Sequence, residues 1–540
     1  MASTNFTAGT VVASTWLNDV DDVTYGLKTF GATGNGVTDD SAAFTLAEAS
    51  ALTNITIPQG TYVLGSDLSL TKTYTILPGA VLKGAGAAHI NFKRVPIAGP
   101  YQIFDRTTGG VFQFLGGGVP EVYAEWWGAQ GGTDGKTNND IYIQYALDAV
   151  QSVVYSDFTT KAPNVDNNGG CVVLAYATDY LMSGRIHMRN RVRMKGQGRY
   201  TELKCNNATW GSDTEMLYSV NGTGSQFWCR LEDISLNANE NTVLTRVIYA
   251  PAWQESCGLR DVLLEKFRCH GIVVDNGYGG AVGCRLQSLQ FFPSTSITSG
   301  RAAIYVDVPY TLGVYNLILE EISFAGTSTS TPPGIDLTGV YAKGRVRIHP
   351  RAVHAEAFDY AITLDTDASI IGGMVAAGGN ATVNAVVACN SGWTGKITLD
   401  RINKGGAVYA IRSFDGAANN IYRDTEPVWG RVVYPFTPSE ILATGRNTSN
   451  GGTLDSSTFG ISSISRISAG LYRFNFDTTK FAPSSGTFYR VMVDIGSTQG
   501  RTSFIQAQTS TYIEIQFKDL SNVVADCDFF DIFVYGRPGI

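Results

Sequence analysis

Charged residues are scarce in this sequence. Asp, Glu, Lys and Arg together make up 16% of the 540 residues, whereas about 25% is usual in soluble domains. The net charge of −7 disfavours a nucleic-acid partner, because phosphates require a basic surface. No uninterrupted apolar run reaches the roughly 18 residues of a membrane-spanning helix, and the N-terminus lacks the layout of a secretory signal. We therefore expect neither a membrane span nor a cleaved signal.

Motifs of metal-dependent and nucleophilic enzymes are also missing. The eight cysteines include no Cys-x-x-Cys pair and no cluster of metal ligands, and there is no zinc signature or serine nucleophile elbow. The sequence therefore predicts no metal and no cofactor. It also favours folding in a reducing cytoplasm, where thiols stay free.

What is plentiful is glycine, with 60 residues in 540 against about 7% in average proteins, together with Asn, Thr and Ser. This composition is typical of short strands joined by turns. A repeat supports it: three segments share the pattern Cys-x-Leu-x-x-apolar-x-apolar and begin at Cys229, Cys257 and Cys284, at spacings of 28 and 27 residues. A period of this length indicates a solenoid, and the closing alternation is that of a strand with one buried face.

The repeat continues beyond the cysteines. It recurs at Leu319–Phe324 and Leu399–Ile402, more weakly at Ile371–Met374, and as its second half at Val353–Glu356. The sequence thus predicts seven coils of a right-handed, single-stranded parallel β-helix. In each coil the two polar residues after the leucine indicate a bend, and the three cysteines should form an interior ladder of small apolar side chains.

The β-helix is expected to have neighbours along the chain. Two glycine-rich turns lead into helical stretches, Ser41–Ala51 and Asp140–Val154, which would cap the exposed end of the coils. After Pro427 the coil period stops, and alternating strands predict an antiparallel β-sandwich. The expected organisation is an anchor element at 1–25, a head module at 26–118, the β-helix at 119–430 and the sandwich at 431–540.

The glycine-rich turns also carry a resemblance. Phe30–Phe44 is similar to the opening motif of pectate-lyase-like parallel β-helix proteins, and Phe6–Val20 and Glu121–Ala129 look like the virion-proximal part of bacteriophage tailspikes. The resemblance implies a homotrimer that is made in the bacterial cytoplasm, attaches to the phage tail through its N-terminus, and binds and depolymerises a bacterial surface polysaccharide.

Hydrolysis of such a glycan needs two carboxyl groups, ~5–5.5 Å apart for retention of configuration and ~6.5–9.5 Å apart for inversion. The repeat register sorts the outward residues into three columns. The first holds Asp233, Asp261, Ser288, Glu321 and Ala352; the second holds Ser235, Leu263, Gln290, Ser323 and His354; the third holds Asn237, Glu265, Phe292, Ala325 and Glu356.

Five residues of these columns are the candidate catalytic residues: Glu356, Glu321, Asp261, Glu265 and His354. His354 and Glu356 share an outward face, with Asp359 nearby, and we expect Glu356 to be the acid on which activity depends most. Three functions stay open at this point. The first is a hydrolase that uses these acids. The second is a polysaccharide lyase with His354 or Tyr360 as base and an arginine such as Arg347 beside a uronic acid. The third is a fibre that only binds.

A further set of aspartates stands at the end of similar apolar, strand-like segments: Asp275, Asp307, Asp336 and Asp365. One aspartate per coil at a strand end is what turns favour, so this set is predicted to be structural.

Overall fold

The computed structural model describes a large part of the chain. The described residues are 26–114, 121–132, 136–150, 170–219, 226, 228–251, 253, 256–275, 284–297, 300–309, 314–326, 337–356, 358–378, 385–391, 393–403, 405, 407, 409–413, 421–422, 428–434, 443–447, 461–469, 471–476, 490–494, 502–508, 512–518, 523 and 530–535. The anchor element predicted at 1–25 lies outside them. Within them, no helix has the length and apolar character needed to cross a membrane.

The described residues are mostly β, as predicted, and their helices fall where the glycine-rich turns indicated. Helix α1 spans Ser41–Ala49 and helix α2 spans Asn139–Val150, and short 3-10 turns cover Leu27–Phe30 and Ala124–Trp127. Before α1, the carboxylate of Asp40 accepts hydrogen bonds from the backbone amides of Thr33 and Gly34. These bonds fasten the glycine-rich turn to the start of the helix.

The head module is a small parallel assembly of its own. Its strands are β1 (Asn35–Asp39), β2 (Asn54–Ile57), β3 (Gly60–Leu64), β4 (Leu68–Leu70), β5 (Thr73–Ile76), β6 (Ala80–Phe92) and β7 (Phe104–Gln113). They pair in the order β1-β3-β6-β4, with β7 on β6 and β2 on β5. Aromatic side chains such as Phe44, Tyr74 and Phe92 fill its interior.

The coil region follows. Its strands are β8 (Glu121–Tyr123), β9 (Cys171–Val173), β10 (Asp179–Met182), β11 (Ile186–His187), β12 (Arg193–Lys195), β13 (Glu202–Cys205), β14 (Leu217–Tyr218), β15 (Arg230–Asn237), β16 (Arg246–Tyr249), β17 (Gly258–Phe267), β18 (His270–Asp275), β19 (Cys284–Gln287), β20 (Gln290–Pro293), β21 (Arg301–Val308), β22 (Tyr315–Glu320), β23 (Ile322–Ala325), β24 (Leu337–Gly344), β25 (Val346–Pro350), β26 (Val353–Glu356), β27 (Tyr360–Asp365), β28 (Ser369–Ile371), β29 (Met374–Ala377), β30 (Ala385–Cys389), β31 (Ile397–Asn403), β32 (Tyr409–Ser413), β33 (Ile421–Tyr422) and β34 (Val428–Tyr434).

Apart from β33, which pairs antiparallel with β32, these strands form two long parallel sheets, which is the architecture of a parallel β-helix. The first sheet, here called the bent sheet, contains two strand segments per coil, for example β19-β20 and β22-β23. The second, here called the flat sheet, runs in the order β11-β14-β16-β18-β21-β24-β27-β30-β32. The chain alternates between the two sheets, so each coil contributes one layer of side chains to the core between them.

The predicted register is confirmed by the strand pairing from Leu231 to Phe324 and at Val353–Glu356. The weak copy predicted at Ile371–Met374 is wrong by one residue, because Val375 and not Met374 continues the inward column of Ile322 and Val353. Leu231 pairs with Leu259, Leu259 with Leu286 and Leu286 with Leu319. The repeat cysteines Cys229, Cys257 and Cys284 are buried and free. A second interior ladder joins Phe267, Phe291, Phe324 and Phe358, with successive ring centroids 6.5, 5.1 and 5.4 Å apart. The core therefore consists of like side chains stacked coil upon coil.

The predicted bend is also present, and it has a backbone cause. The second polar residue after each leucine adopts a left-handed conformation, with φ values of 54°, 54°, 51° and 57° at Asp233, Asp261, Ser288 and Glu321. A single left-handed residue turns the strand sharply, and Asp and Asn tolerate it better than most residues. Four of the five residues of the first outward column therefore lie at a left-handed bend.

The chain divides into two compact units, one of residues 1–395 and 399–430, the other of 396–398 and 431–540. The second unit contains β35 (Ala443–Asn447), β36 (Ile461–Ser468), β37 (Leu471–Phe476), β38 (Arg490–Asp494), β39 (Thr502–Gln508), β40 (Tyr512–Lys518) and β41 (Phe530–Tyr535). They form two antiparallel sheets, β35-β41-β38 and β36-β37-β40-β39. Alternate residues of β37 and β40 are buried, the pattern of the predicted β-sandwich.

Candidate functional site

The second and third outward columns follow the predicted register and extend further upstream than the repeat suggested. Asp179 pairs with Glu202 and Glu202 with Ser235 in the second column. In the third column, Lys204 pairs with Asn237 and Asn237 with Glu265. The same two columns later contain His354 and Glu356, which pair with Ser323 and Ala325. One outward surface of the bent sheet therefore carries acids at both ends.

At the upstream end, two glutamates share one amide. The Nδ2 of Asn237 donates to the Oε1 of Glu202 at 3.0 Å and to the Oε1 of Glu265 at 2.6 Å. Because both bonds start from one nitrogen, the two carboxyl oxygens are no farther apart than the two bond lengths together. Asn237 is 1% exposed, so its amide is held in place. We call Glu202 and Glu265 the carboxyl pair.

Burial and neighbouring charges raise the pKa of one member of the pair, Glu202. Burial is the largest cause that raises the pKa of Glu202, followed by the negative charges of Asp179 and Glu265, and together they bring it to about 7. The hydrogen bond from Asn237 and the charge of Lys204 oppose the rise. Lys204 itself lies 2.9 Å from Asp179 and 3.7 Å from Glu202. At neutral pH Glu202 can therefore hold a proton beside a second carboxyl group.

An aromatic ring lies next along the third column. Phe292 pairs with Glu265 and is 38% exposed, which is unusual for a large apolar side chain in a region whose other phenylalanines are buried. A flat exposed ring beside acidic groups provides a surface on which a sugar ring can pack. The upstream end thus combines an acid whose pKa is raised, a second carboxyl group and an apolar platform.

Glu265 was among the residues predicted from sequence, whereas Glu202 was missed. The strand of Glu202 lacks the Cys-x-Leu phrase from which the register was read. The signal that could have found it is Leu203, which pairs with Leu236 and so belongs to the same interior column. Extending the register by one coil would have placed Glu202 on the outward face.

At the downstream end, His354 and Glu356 contact each other as expected from their spacing. The Nε2 of His354 lies 3.0 Å from the Oε1 of Glu356, and the two side chains are 44% and 49% exposed. Ser323, Ala325 and Ala376 are their small neighbours in register. The pair therefore lies in a shallow, open part of the surface.

Two residues expected near this pair lie elsewhere. Tyr360 belongs to the flat sheet and is 7% exposed, so its predicted role as an alternative base is wrong because a buried phenol cannot reach a polysaccharide. Asp359 precedes Tyr360 and accepts a hydrogen bond from the backbone amide of Leu337 at 2.5 Å, which gives it a structural contact at the start of that sheet.

Glu321 and Asp261 are two of the bend residues. The carboxylate of Glu321 accepts a hydrogen bond from the hydroxyl of Ser288 at 2.9 Å, and Asp261 lies 3.5 Å from the guanidinium of Arg260. The adjacent Glu320 binds Arg285 and Arg351, which hold its pKa below the usual value. Their left-handed backbone already accounts for polar residues at these positions.

The aspartate set is only partly a ladder. Asp275 pairs with Asp307, but Asp307 pairs with Lys343, and Lys343 with Asp365. The place predicted for Asp336 is thus taken by Lys343, and Asp336 lies outside the described residues. Among the residues that the structure describes, no group of three or more His, Cys, Asp or Glu side chains could hold a metal ion.

No protein-family model matches the sequence, and no curated protein matches it. Solved structures do match. A tailspike of E. coli bacteriophage HK620 has 10% identity and a TM-score of 0.37, over 96% of this chain and 94% of that chain. The phiAB6 tailspike, solved with oligosaccharides of Acinetobacter baumannii surface polysaccharide, has 12% identity and a TM-score of 0.19, over 98% and 90% of the two chains.

A galactohydrolase that acts on a sulfated galactan matches over 52% of this chain and 63% of its own, with 12% identity and a TM-score of 0.28. At such identities and TM-scores, the fold is established by the paired coils and not by these matches. The solved structures that resemble this chain are mostly phage tailspikes. This agrees with the tailspike resemblance of the sequence motifs.

Proposed function

We propose that this protein is a phage tailspike that binds a bacterial surface polysaccharide and cleaves it by hydrolysis at the carboxyl pair. The observation that carries the proposal is the amide of Asn237, which bonds to Glu202 and Glu265 at once. One of the two acids has a pKa of about 7. Glycoside hydrolysis uses such a pair, in which one member gives a proton and the other is ionised.

In this mechanism Glu202 is the general acid. Its proton passes to the glycosidic oxygen as the bond between that oxygen and the anomeric carbon breaks. The carboxylate of Glu265 then bonds to the anomeric carbon. Water, deprotonated by the now ionised Glu202, displaces Glu265 and completes hydrolysis. The close approach of the two oxygens favours this retaining route over the inverting one, which needs room for a water molecule between the carboxyl groups.

The remaining residues of the upstream end support substrate placement. Phe292 would pack against the face of a neighbouring sugar, and Asn237 keeps the carboxyl pair at a fixed distance. Asp179 and Lys204 lie beside Glu202 and set its protonation. The N-terminal segment 1–25 is proposed to attach the protein to the virion.

The test compares single substitutions of the two acids. Glu202→Gln and Glu265→Gln should each lower the release of reducing ends from a susceptible polysaccharide by about 10²–10⁴-fold, the usual scale of general acid–base catalysis. The control is Asp105→Asn, a carboxylate of the head module that caps Thr107, which should leave the rate unchanged. Proton NMR of the first product should show retained configuration.

The polysaccharide is found by screening purified capsules and O-antigens. If none is shortened while at least one binds, the protein is a binding fibre and the hydrolase is excluded. Full activity of both glutamine variants would exclude the carboxyl pair as the site.

The His354–Glu356 pair supports a second candidate function, a polysaccharide lyase. A histidine 3.0 Å from a carboxylate can act as the base that removes the proton from the carbon next to the carboxyl group of a uronic acid. Glu356→Gln and His354→Gln would then abolish cleavage while Glu202→Gln would not. Products would carry the ultraviolet absorbance of an unsaturated uronate, which hydrolysis does not generate.

A further inference from the structure

Between the carboxyl pair and the His354–Glu356 pair, the outward residues of the second and third columns are uncharged. They are Leu263, Gln290, Phe292, Ser323 and Ala325. We call these residues the uncharged floor. Successive coils lie about 4.8 Å apart, so the stretch of surface between Glu265 and Glu356 is roughly 14 Å long.

The side chains of the uncharged floor are accessible, and their polar groups are free. Phe292 is exposed, and Leu263, Gln290 and Ser323 are half-buried. Among the described residues, neither the amide of Gln290 nor the hydroxyl of Ser323 has a hydrogen-bond partner. The hydroxyl of Ser235, farther up the same column, instead donates to a backbone carbonyl at 2.6 Å. The floor thus offers apolar contact together with free donors and acceptors, which is what a sugar ring and its hydroxyls can use.

The upstream border of the floor is acidic. Asp179, Glu202 and Glu265 lie together there, and Lys204 is the one cation that contacts any of them within the described part of the chain. Its Nζ lies closer to Asp179, at 2.9 Å, than to Glu202, at 3.7 Å. The carboxylate of Glu265 is bound by the neutral amide of Asn237, so no cation offsets its charge.

The bend side of the floor is acidic as well. Asp261 and Glu321 each come two residues before a residue of the floor. Arg260 lies 3.5 Å from Asp261 and 3.0 Å from the buried Glu232, so one cation is shared between these two acids. Glu321 is bound by a serine hydroxyl and not by a cation. Acids therefore outnumber cations on two sides of the floor, and an anionic ligand there would be repelled whereas a neutral one would not.

We propose that the uncharged floor binds neutral sugar residues next to the cleaved bond, and hence that the polysaccharide of the proposed function is uncharged at that bond. This inference rests on the proposed function for the identity of the ligand as a glycan. Phe292 and Leu263 would contact the faces of the sugar rings, and Gln290 and Ser323 would bond to their hydroxyls. The acidic borders disfavour a uronic acid on the floor, so the inference opposes the lyase alternative.

The experiment uses saturation-transfer NMR on the full chain with matched pairs of probes: the methyl glycosides of glucose, galactose and mannose, each compared with the methyl glycoside of its uronic acid. At least one neutral glycoside should show saturation transfer, and its acidic counterpart should show several-fold less. Phe292→Ala should reduce the neutral signal several-fold. Gln290→Lys, which places a cation on the floor, should raise the acidic signal relative to the neutral one. The matched control is Trp228→Ala, an exposed aromatic residue that precedes β15 and lies outside the two columns, and it should leave both signals unchanged.

The proposal is overturned if no neutral glycoside gives a signal, if both members of every pair give equal signals, or if Phe292→Ala has no more effect than Trp228→Ala. A stronger signal from methyl glucosaminide than from the neutral glycosides would also overturn it, in favour of a cationic sugar. The result is separable from the proposed function, because Glu202→Gln should abolish cleavage and keep the neutral signal. A protein that binds a neutral glycoside through Phe292 and cleaves nothing would retain the inference and lose the hydrolase. Cleavage beside a uronic acid that depends on Glu202 would retain the hydrolase and lose the inference.

Discussion

At the scale of single residues, the protonation and reactivity of each acid on this surface depend on the polar groups that contact it. Glu356 meets an exposed histidine, and Glu321 meets a serine hydroxyl at a bend. Glu202 differs because it is mostly shielded from water, at 16% side-chain exposure, and lies close to two other acids. Burial and like charge both favour its protonated form, and this combination is what distinguishes a candidate general acid from a surface carboxylate.

The protonation of Glu202 should be visible in the pH dependence of stability. A carboxyl group whose pKa is higher in the folded chain, about 7, than its usual 4.5 stabilises the fold fully below the lower value. That stabilisation is lost as the pH rises to the higher value. The Glu202→Gln variant has no ionisable group at this position. The difference between its free energy of unfolding and that of the natural chain should therefore increase in favour of the variant between about pH 4.5 and pH 7, and should stay constant above pH 7.

The expected gain is on the order of 3 kcal/mol, since the pKa rises from 4.5 to about 7 and one pKa unit corresponds to about 1.4 kcal/mol. Thermal unfolding of the two chains at a series of pH values measures it. Parallel curves for Glu202→Gln and the natural chain would mean that the pKa of Glu202 is not raised.

At the scale of elements, the bend of each coil is made by one residue with a left-handed backbone. Side chains without a β-branch tolerate this conformation, and glycine and asparagine do so best. The second polar residue after the repeated leucine is therefore favoured by the backbone, and the acids found at this position do not by themselves indicate catalysis. Asp233 is the first of these bends and belongs to none of the candidate sites.

Substitutions at Asp233 should follow backbone preference and not charge. Asp233→Asn should change stability little, whereas Asp233→Val should cost roughly 1–2 kcal/mol, because a β-branched residue is strained at φ 54°. The control is Gln290→Val, at an outward and extended position of the same sheet where valine fits well. Unfolding of all three variants at one scan rate gives the comparison, and equal losses for Asn and Val at position 233 would contradict the backbone explanation.

At the scale of the whole molecule, we propose a homotrimer, as the tailspike resemblance implies. A solenoid with few charges has extensive uncharged flanks, and association of identical chains is the common way to cover them. Among the described residues, the carboxyl pair, the left-handed bend residues and the His354–Glu356 pair all lie on the bent sheet. The surface proposed to bind the glycan is therefore a charged one.

Light scattering of the purified protein should give three times the chain mass of 58.0 kDa. The mass should not change in Glu202→Gln or Glu265→Gln, because these outward polar residues are proposed to contact the glycan. A single-chain mass at working concentration would exclude the trimer. A lower mass in one of the two variants alone would identify that residue as part of a subunit interface.

The sequence by itself determined the coils. The repeated Cys-x-Leu phrase defines the inward face, its spacing defines the stacking from Cys229 onward, and the polar pair marks the bend, because each of these depends only on neighbouring residues in the chain. The same holds for the alternation in β37 and β40. These features could be predicted since local pattern decides which face of a strand is buried.

Only the tertiary structure decided which outward residues meet. Glu202 reaches Asn237 and Glu265 across coils that are separated by long turns, and Lys343 takes the place expected for Asp336 for the same reason. The number of residues in a turn sets how far the next strand is shifted, and no local pattern records that shift. Tyr360, four residues after Glu356 in the chain, falls in the other sheet and is buried, because the corner between the sheets comes before it.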